Sequence, residues 1–289
     1  MLPMATRRAC PLCQDEASEF TIVDHVLYFE CRVCDFIFAD PSLLERVDRG
    51  EPLRRYDEEY WQNELASARD RSYGSSLARC AEAILYCRVP IQRFIDVGTG
   101  PGILLEALSL YLPDHADKLF GVEKFPPREE ERSKHPNYHC ADLKDLGLTF
   151  ECGVCIEVLE HLTPQMARGL AAAMRVASVP GSLFMFNTGL TDYVRCEDPG
   201  YLDPYGRGHI TCWSVKAAQR IFAVEGFVVH PVPGKSWAFV IERPLGEVGQ
   251  EIAIGDRIWS APSANLALLA DSRMGTVMQI LGRESARAY

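Results

Sequence analysis

No run in the 289-residue chain is apolar for long enough to cross a bilayer, which takes about 20 consecutive residues. The most apolar stretch, Leu170 to Phe186, is interrupted by Arg175, Pro180 and Gly181. The opening residues, MLPMATRRACPLCQ, carry charge with no apolar segment behind it, so a secretory signal is not expected. Surplus positive charge is also lacking: 30 Lys and Arg face 40 Asp and Glu, a formal net charge of −10. That balance weakens non-specific attraction to nucleic acid or an anionic membrane, although it leaves room for a local basic patch. Internal repeats and low-complexity tracts are absent. These absences point to a cytoplasmic globular protein.

What is present fits that class. Apolar residues make up 47% and charged residues 24% of the chain, proportions at which a globular core forms. The pattern divides into four parts: a small β module over 1–41, a helical connector or cap over 42–90, a main domain over 91–243 and a helical extension over 244–289. In the connector, SLARCAEAILY (Ser76 to Tyr86) has helical apolar spacing, and YDEEYW gathers Tyr56, Tyr60 and Trp61, either as helix packing or as a cover over a ligand. From residue 91 strands and helices alternate. Strands are expected at Phe94–Val97, Lys118–Val122, Tyr138–Ala141, Cys152–Ile156 and Ser182–Asn187. A final hairpin is expected from Phe227–Val232 and Trp237–Arg243 around PVPG. Alternating β and α units imply an α/β fold, a mostly parallel sheet with helices on both faces.

Eleven cysteines are present, four of them in two CxxC pairs near the start: Cys10, Cys13, Cys31 and Cys34. In a chain expected to be cytosolic, paired cysteines suggest metal before disulfide. Seventeen residues separate the pairs, and the strand-like run between them fits a zinc ribbon. Four thiolates satisfy tetrahedral zinc and leave no position open for water, so the metal would be structural; iron is the alternative for a set of four cysteines. So small a module would hardly fold without a metal. Cys152 and Cys155 are also spaced as CxxC, but within a buried strand they read as core, as do Cys80, Cys87, Cys140, Cys196 and Cys212.

The main chemical signal is FIDVGTGPG, Phe94 to Gly102. It follows a strand and precedes a helix, where a ligand-binding glycine loop belongs. Dinucleotide dehydrogenases use GxGxxG; here the third glycine comes one residue early, in DxGxGxG. Glu123 ends the second strand in GVEK, and a carboxylate there can accept hydrogen bonds from both hydroxyls of a ribose. Asp142, after the third strand in ADLKDL, can meet an adenine amino group.

FIDVGTGPG, GVEK, ADL and VCIEVLEHLTP (Val154 to Pro164) together resemble class I S-adenosylmethionine-dependent methyltransferases over roughly residues 91–243. The resemblance implies a Rossmann-like seven-stranded sheet with a reversed final hairpin. It implies that Asp96, Gly98 and Gly100 line the methionine part of the cofactor and that Glu123 holds the ribose. Asp142 and Leu143 would flank the adenine, and Glu157 and Val158 would border the methyl end. IEVLEHL is similar to O- and C-methyltransferases of small molecules, and the Asn/Asp-Pro-Pro-Tyr/Phe motif of base-amine methyltransferases is missing. A four-cysteine head joined to such a domain resembles two groups: sugar and natural-product C- or O-methyltransferases, and ribosomal-RNA methyltransferases with a zinc head. Residues 1–50 hold five arginines against nine acids, whereas a head that grips RNA should be basic. The small-molecule group is therefore favoured.

Methyl transfer from a sulfonium asks the enzyme to align a nucleophile and remove its proton. Histidine is the natural base near neutral pH. His161 ends EVLEH just beyond the fourth strand, and His209 lies in GRGHITCWS after the fifth. Each is expected as the general base or, alternatively, as a structural hydrogen-bonding group. Tyr201, Asp203 and Tyr205, in a polar loop over 193–213, are candidate acceptor contacts. His25, His115, His135, His139 and His230 look incidental. The expected function is methyl transfer from S-adenosylmethionine to a small polar acceptor, a sugar or sugar conjugate. The alternatives are an rRNA or tRNA methyltransferase and a non-catalytic cofactor-binding scaffold acting through its zinc module.

Overall fold

The computed structural model describes residues 7–53, 58–246 and 252–287. The chain opens with four strands, β1 (Arg7–Ala9), β2 (Glu16–Val23), β3 (Val26–Cys31) and β4 (Phe36–Ala39). The turn between β2 and β3 is Asp24-His25. Both residues have positive φ, 47° and 66°, as a two-residue hairpin matching the strand twist requires. Asp40-Pro41 then starts α1 (Pro41–Asp48): the Asp40 carboxylate accepts the Ser42 amide at 2.9 Å, and proline fills the first helical position. Two further helices follow, α2 (Glu58–Ser72) and α3 (Ser75–Tyr86). Tyr56 lies outside the described residues, as do the side chains of Tyr60 and Trp61.

The alternating part runs β5 (Phe94–Val97), α4 (Ile103–Tyr111), β6 (Leu119–Glu123), β7 (Tyr138–Cys140), β8 (Phe150–Ile156), α5 (Pro164–Val176) and β9 (Ser178–Asn187). Then come α6 (Thr191–Cys196), β10 (Thr211–Cys212), α7 (Val215–Phe222), β11 (Val228–Pro231) and β12 (Ala238–Glu242). The chain closes with α8 (Ser263–Leu269) and α9 (Gly275–Arg287). Between β6 and β7, Glu129–Glu131 forms a short 3-10 turn.

Seven strands form one sheet in the order β11-β12-β9-β8-β5-β6-β7. All neighbours from β9 to β7 are parallel, while β12 is antiparallel to both β9 and β11. This is the Rossmann-like methyltransferase sheet with its reversed final hairpin. Successive residues along the strands supply opposite faces, following the two-residue period of a strand. Ile95, Val97, Cys155, Phe184 and Phe186 pack with α5 and α7 on one side. Phe94, Cys152, Val154, Leu183 and Met185 pack with α3, α4 and the C-terminal helices on the other. Cys152 and Cys155 thus belong to opposite faces of the sheet and cannot act as a pair. Cys140 and Cys196, expected in the core, are exposed instead: each is the last residue of its element, β7 and α6, where packing ends.

The helical extension is fixed to the sheet domain by buried polar contacts. The Asn265 amide group donates to the carbonyls of Cys87 (3.1 Å) and Val89 (3.0 Å) and accepts the Ile91 amide (3.0 Å). It thereby satisfies backbone groups where α3 ends, which burial would otherwise leave costly. Glu242 on β12 is fully buried and accepts from Arg88 at 2.9 Å and Arg257 at 2.7 Å.

The second sheet has five strands, β1-β2-β3-β4-β10. Four come from the N-terminal module, but the fifth belongs to the segment between β9 and α7. Thr211 pairs with Phe38 and Cys212 with Ile37. The main domain thus completes the module's sheet with a strand of its own, and Phe36 packs its ring 4.7 Å from that of Trp213.

Candidate active site

The glycine loop leaves β5 at Asp96 and Val97 and turns through three glycines with positive φ: Gly98 (75°), Gly100 (56°) and Gly102 (85°). Gly98 has a second reason to be glycine. A Cβ there would lie 2.5 Å from Cγ2 of Val158, so the loop touches the segment that follows β8. At Gly100 a Cβ would meet nothing within 4 Å, so this part of the loop is open to a ligand. Its amide donates to Glu123 at 2.8 Å, and the Tyr138 hydroxyl donates to its carbonyl at 2.7 Å.

Glu123 stands at the end of β6 and accepts Gly100 N–H with one oxygen and Phe125 N–H, at 2.8 Å, with the other. Each oxygen keeps a lone pair for a further donor. Asp96 is buried beneath the loop. Burial pushes its carboxyl up to about 7; the Thr99 hydroxyl, donating at 2.7 Å, opposes the shift and the Glu123 charge adds to it. Asp142 follows β7 and opens a short 3-10 turn over Leu143–Asp145, with Lys124 at 2.8 Å from its carboxylate. Leu143 is buried.

The other half of the site follows β8. Glu157 adopts φ 54°, an uncommon conformation for a residue with a side chain and one that marks functional sites. Asn187, at the end of β9, holds it there: its carbonyl accepts the Glu157 amide (2.9 Å) and its amide group donates to the Glu157 carboxyl (2.8 Å). Val158 meets Gly98, and Leu159–His161 forms one 3-10 turn. That turn carries Glu160 fully inside the protein. Burial pushes the Glu157 carboxyl up to about 8, and the neighbouring Glu160 charge adds to the shift. Burial also raises the Glu160 carboxyl, against hydrogen bonds that favour its charge, among them one from Tyr201.

His161 and His209, 48 residues apart in sequence, come together around Glu160. Their rings are 5.1 Å apart and steeply tilted, at 68°. His209 Nε2 lies 4.0 Å from Glu160 Oε1, and the three side chains offer ligand atoms all within 4.8 Å of one another. Each ring is oriented by a backbone carbonyl: His161 Nδ1 faces Gly208 O at 3.1 Å and His209 Nδ1 faces Tyr201 O at 2.7 Å. A carbonyl can only accept, so Nδ1 carries the proton and Nε2 the lone pair in each neutral ring. Gly208 (φ 80°) sits close under His161, where a Cβ would be 3.1 Å from Nδ1.

The three loop residues expected to contact an acceptor have different surroundings. Tyr201 is buried; its hydroxyl donates to Glu160 at 3.0 Å and accepts the Gly189 amide at 2.8 Å. Asp203 caps the Gly206 amide at 2.6 Å, and its carbonyl accepts the His209 amide at 2.9 Å. Both therefore shape the histidine loop. Tyr205 is exposed and lines a cavity of about 270 Å³ with His25, Asp40, Ser42 and Arg46, on the side of the β module. Glu160 and Asn187 organise the site, yet sequence reasoning misses both. Glu160 is one residue from His161, but no local pattern shows that it is buried.

The four module cysteines converge. Cys10 and Cys34 sulfurs are 3.5 Å apart, Cys13 and Cys31 3.5 Å, and Cys13 and Cys34 3.8 Å. Disulfide sulfurs would be about 2.05 Å apart. Tetrahedral zinc with Zn–S bonds of about 2.3 Å has S–S edges of about 3.8 Å, so the set has the size and donor chemistry for one such ion.

A search of curated proteins finds no match. Among solved structures, DesVI of Streptomyces venezuelae is similar, at 15% identity and a TM-score of 0.48, with 66% of this chain and 99% of that chain covered. CalS10, an amino pentose methyltransferase from Micromonospora echinaspora, gives 20% identity, a TM-score of 0.48 and coverage of 65% and 98%. The sugar N-methyltransferase KedS8 from Streptoalloteichus sp. gives 16%, 0.46, and 63% and 92%. A family model described as a methyltransferase domain matches residues 56–232. With more than half of its length in that match, and the glycine loop, the Glu123 strand end and the turn after β8 inside it, the chain belongs to the methyltransferase domain family.

Proposed function

We propose that the protein transfers a methyl group from S-adenosylmethionine to a small polar acceptor, a sugar or sugar conjugate, and that residues 91–243 carry both cofactor and reaction. The single observation that carries this reading is the meeting of the two half-sites at Gly98 and Val158, with the histidine pair one turn beyond. Bound S-adenosylmethionine would supply an electrophilic methyl on a sulfonium. The residues of the loop fit that group. Gly98 and Gly100 leave room beside Asp96 for the methionine part, Glu123 keeps lone pairs for a ribose, and Asp142 with Leu143 offers a polar and an apolar contact for an adenine. Glu157 and Val158 then border the methyl end.

His209 is our choice for the general base, with His161 beside it. The carbonyl of Tyr201 fixes the His209 tautomer so that Nε2 is the proton-accepting atom. Glu160 lies against the same edge of the ring, where a carboxyl steadies the imidazolium that forms. The four-cysteine set holds a structural zinc ion. The net charge of −10 and the acidic module favour a small acceptor over RNA.

The test is direct. Isotopically labelled S-adenosylmethionine is incubated with a panel of nucleotide-linked sugars, and product-cofactor affinity is measured by calorimetry. We expect label transfer to at least one panel member. Glu123→Ala should weaken S-adenosylhomocysteine binding about tenfold or more, the scale of a lost charge-assisted hydrogen bond. His209→Gln should abolish transfer with that binding intact. Full activity in both His209→Gln and His161→Gln would refute the base assignment. Undiminished binding in Glu123→Ala would refute the cofactor assignment.

A further inference from the structure

The segment that carries His209 is hydrogen-bonded along its length to the four-cysteine module. Tyr28, on β3 three residues before Cys31, is fully buried, and its hydroxyl donates to the His209 carbonyl at 2.7 Å. The Ala39 amide donates to the Ile210 carbonyl at 2.9 Å. Thr211 and Cys212 form the fifth strand of the module's sheet, against Phe38 and Ile37. Ser214, which caps α7, donates its hydroxyl to the carbonyl of Cys34 itself at 3.2 Å. Thr191, at the start of α6, donates to Asp35 at 2.8 Å. On its other side the segment is held by the main domain: Ile210 N–H donates to Glu160 O at 3.0 Å. The candidate base therefore sits on a strip of chain clamped between the cysteine centre and the turn after β8.

Resting on the reading of His209 as base, we infer that the four-cysteine module is a working wall of the active site and that Tyr28 is a positioning residue for His209. Its hydroxyl satisfies the buried carbonyl of the histidine itself. The β3 and β4 strands that hold this contact are fastened at their cysteine ends by the metal. A module of about forty residues depends on such a fastening. With metal bound, β4 offers a fixed edge to β10; with metal removed, that edge and the Tyr28 contact are released together. His209 then loses the contact that holds its carbonyl, while its ring still meets the titratable groups of Glu160, His161 and Tyr201. Among the described residues the glycine loop and Glu123 share no hydrogen bond with the module, so the cofactor half of the site keeps its form. The zinc module is thus tied to the acceptor half of the reaction and not to cofactor binding.

The test compares wild type, Tyr28→Phe and His209→Gln, all zinc-loaded, with wild type stripped by a chelator. Phenylalanine keeps the ring packing and removes only the donor. Four readouts are taken: bound zinc, S-adenosylhomocysteine affinity, hydrogen exchange of amides 209–214, and the NMR titration of the His209 ring. A fifth, label transfer to the nucleotide-linked sugar panel, follows catalysis. In Tyr28→Phe we expect unchanged zinc content and cofactor affinity, exchange of 209–214 faster by about tenfold or more, and a protonation constant of His209 moved by about threefold or more. Chelation should produce the same changes more strongly, with exchange of the 94–102 amides unaltered. Transfer should fall in both. The inference is overturned if the 209–214 amides and the His209 titration are the same in Tyr28→Phe as in wild type, or if chelation leaves them so. Full transfer in His209→Gln overturns the base reading instead, and leaves the exchange result to judge the coupling on its own.

Discussion

Alanine at Gly98 should damage the site in two separable ways. The first is backbone conformation: φ of 75° is left-handed, and a residue with a Cβ placed there costs about 1–2 kcal/mol. The second is a collision. The new Cβ would stand 2.5 Å from Val158 Cγ2, so that side chain must retreat by roughly 0.9 Å to reach ordinary contact, an overpacking cost of about 1–3 kcal/mol. Gly98→Ala should therefore lose about 2–5 kcal/mol in urea unfolding. Val158→Ala alone removes two half-buried methyl groups and should lose about 1 kcal/mol. In the double variant the collision disappears but the backbone cost stays, so its loss should fall short of the two single losses combined by about 1–3 kcal/mol. Distant sites add to within about 0.5 kcal/mol. The assay is urea denaturation of all four proteins, with S-adenosylhomocysteine affinity alongside. Strictly additive losses, or a Gly98→Ala loss below about 0.5 kcal/mol, would show that the loop and the turn after β8 do not touch as described.

Asp96→Asn should alter the dependence of stability on pH. The Asp96 carboxyl is raised from 3.8 to about 7, so its contribution is fully present below about pH 4 and is lost as pH rises through 7. The asparagine variant should thus gain on wild type between about pH 5 and pH 8, by about 2–3 kcal/mol, and an equal gap at both pH values would contradict this. For Glu242 the sign is opposite. Burial works against its charge, but hydrogen bonds from His230, Arg88 and Arg257 hold its carboxyl at about 2. Its contribution is present above 4.5 and lost as pH falls through 2. Glu242→Gln should cost about 3–5 kcal/mol at neutral pH by leaving two arginines unneutralised, and a loss under about 1 kcal/mol in thermal or urea unfolding would contradict the pairing. Metal analysis should find one zinc ion per chain, whose removal exposes four further thiols to a thiol reagent; the same thiol count with and without chelator would rule the site out.

Local patterns make the methyltransferase sheet legible. FIDV, GVEK and IEVLEH each state a strand and what ends it within a few residues, and the reversed hairpin is announced by PVPG. Caps are legible for the same reason: Asp40-Pro41 and Thr163-Pro164 both open helices. What stays hidden in the sequence depends on contacts between distant segments. Thr211–Cys212 is a two-residue strand, too short for any alternation to reveal, yet it joins the cysteine module to the histidine loop. Tyr28 reads as one more apolar strand residue, because nothing near it indicates a carbonyl 181 residues away. Nothing in EVLEH marks Glu160 as buried; the loop carrying Tyr201 and His209 closes over it. Residue type alone puts Cys140 and Cys196 in the core, but position at an element's end decides their exposure.

A crystal structure of the zinc-loaded protein with S-adenosylhomocysteine would test this reading most directly. The sulfur should lie above Gly98 and Val158 with the ribose hydroxyls on Glu123. The methyl position should face the His161–His209 pair, leaving room for an acceptor atom within hydrogen-bond reach, about 3 Å, of an imidazole nitrogen. A product cofactor bound with its ribose away from Glu123, or with both histidines turned from the methyl position, would contradict it.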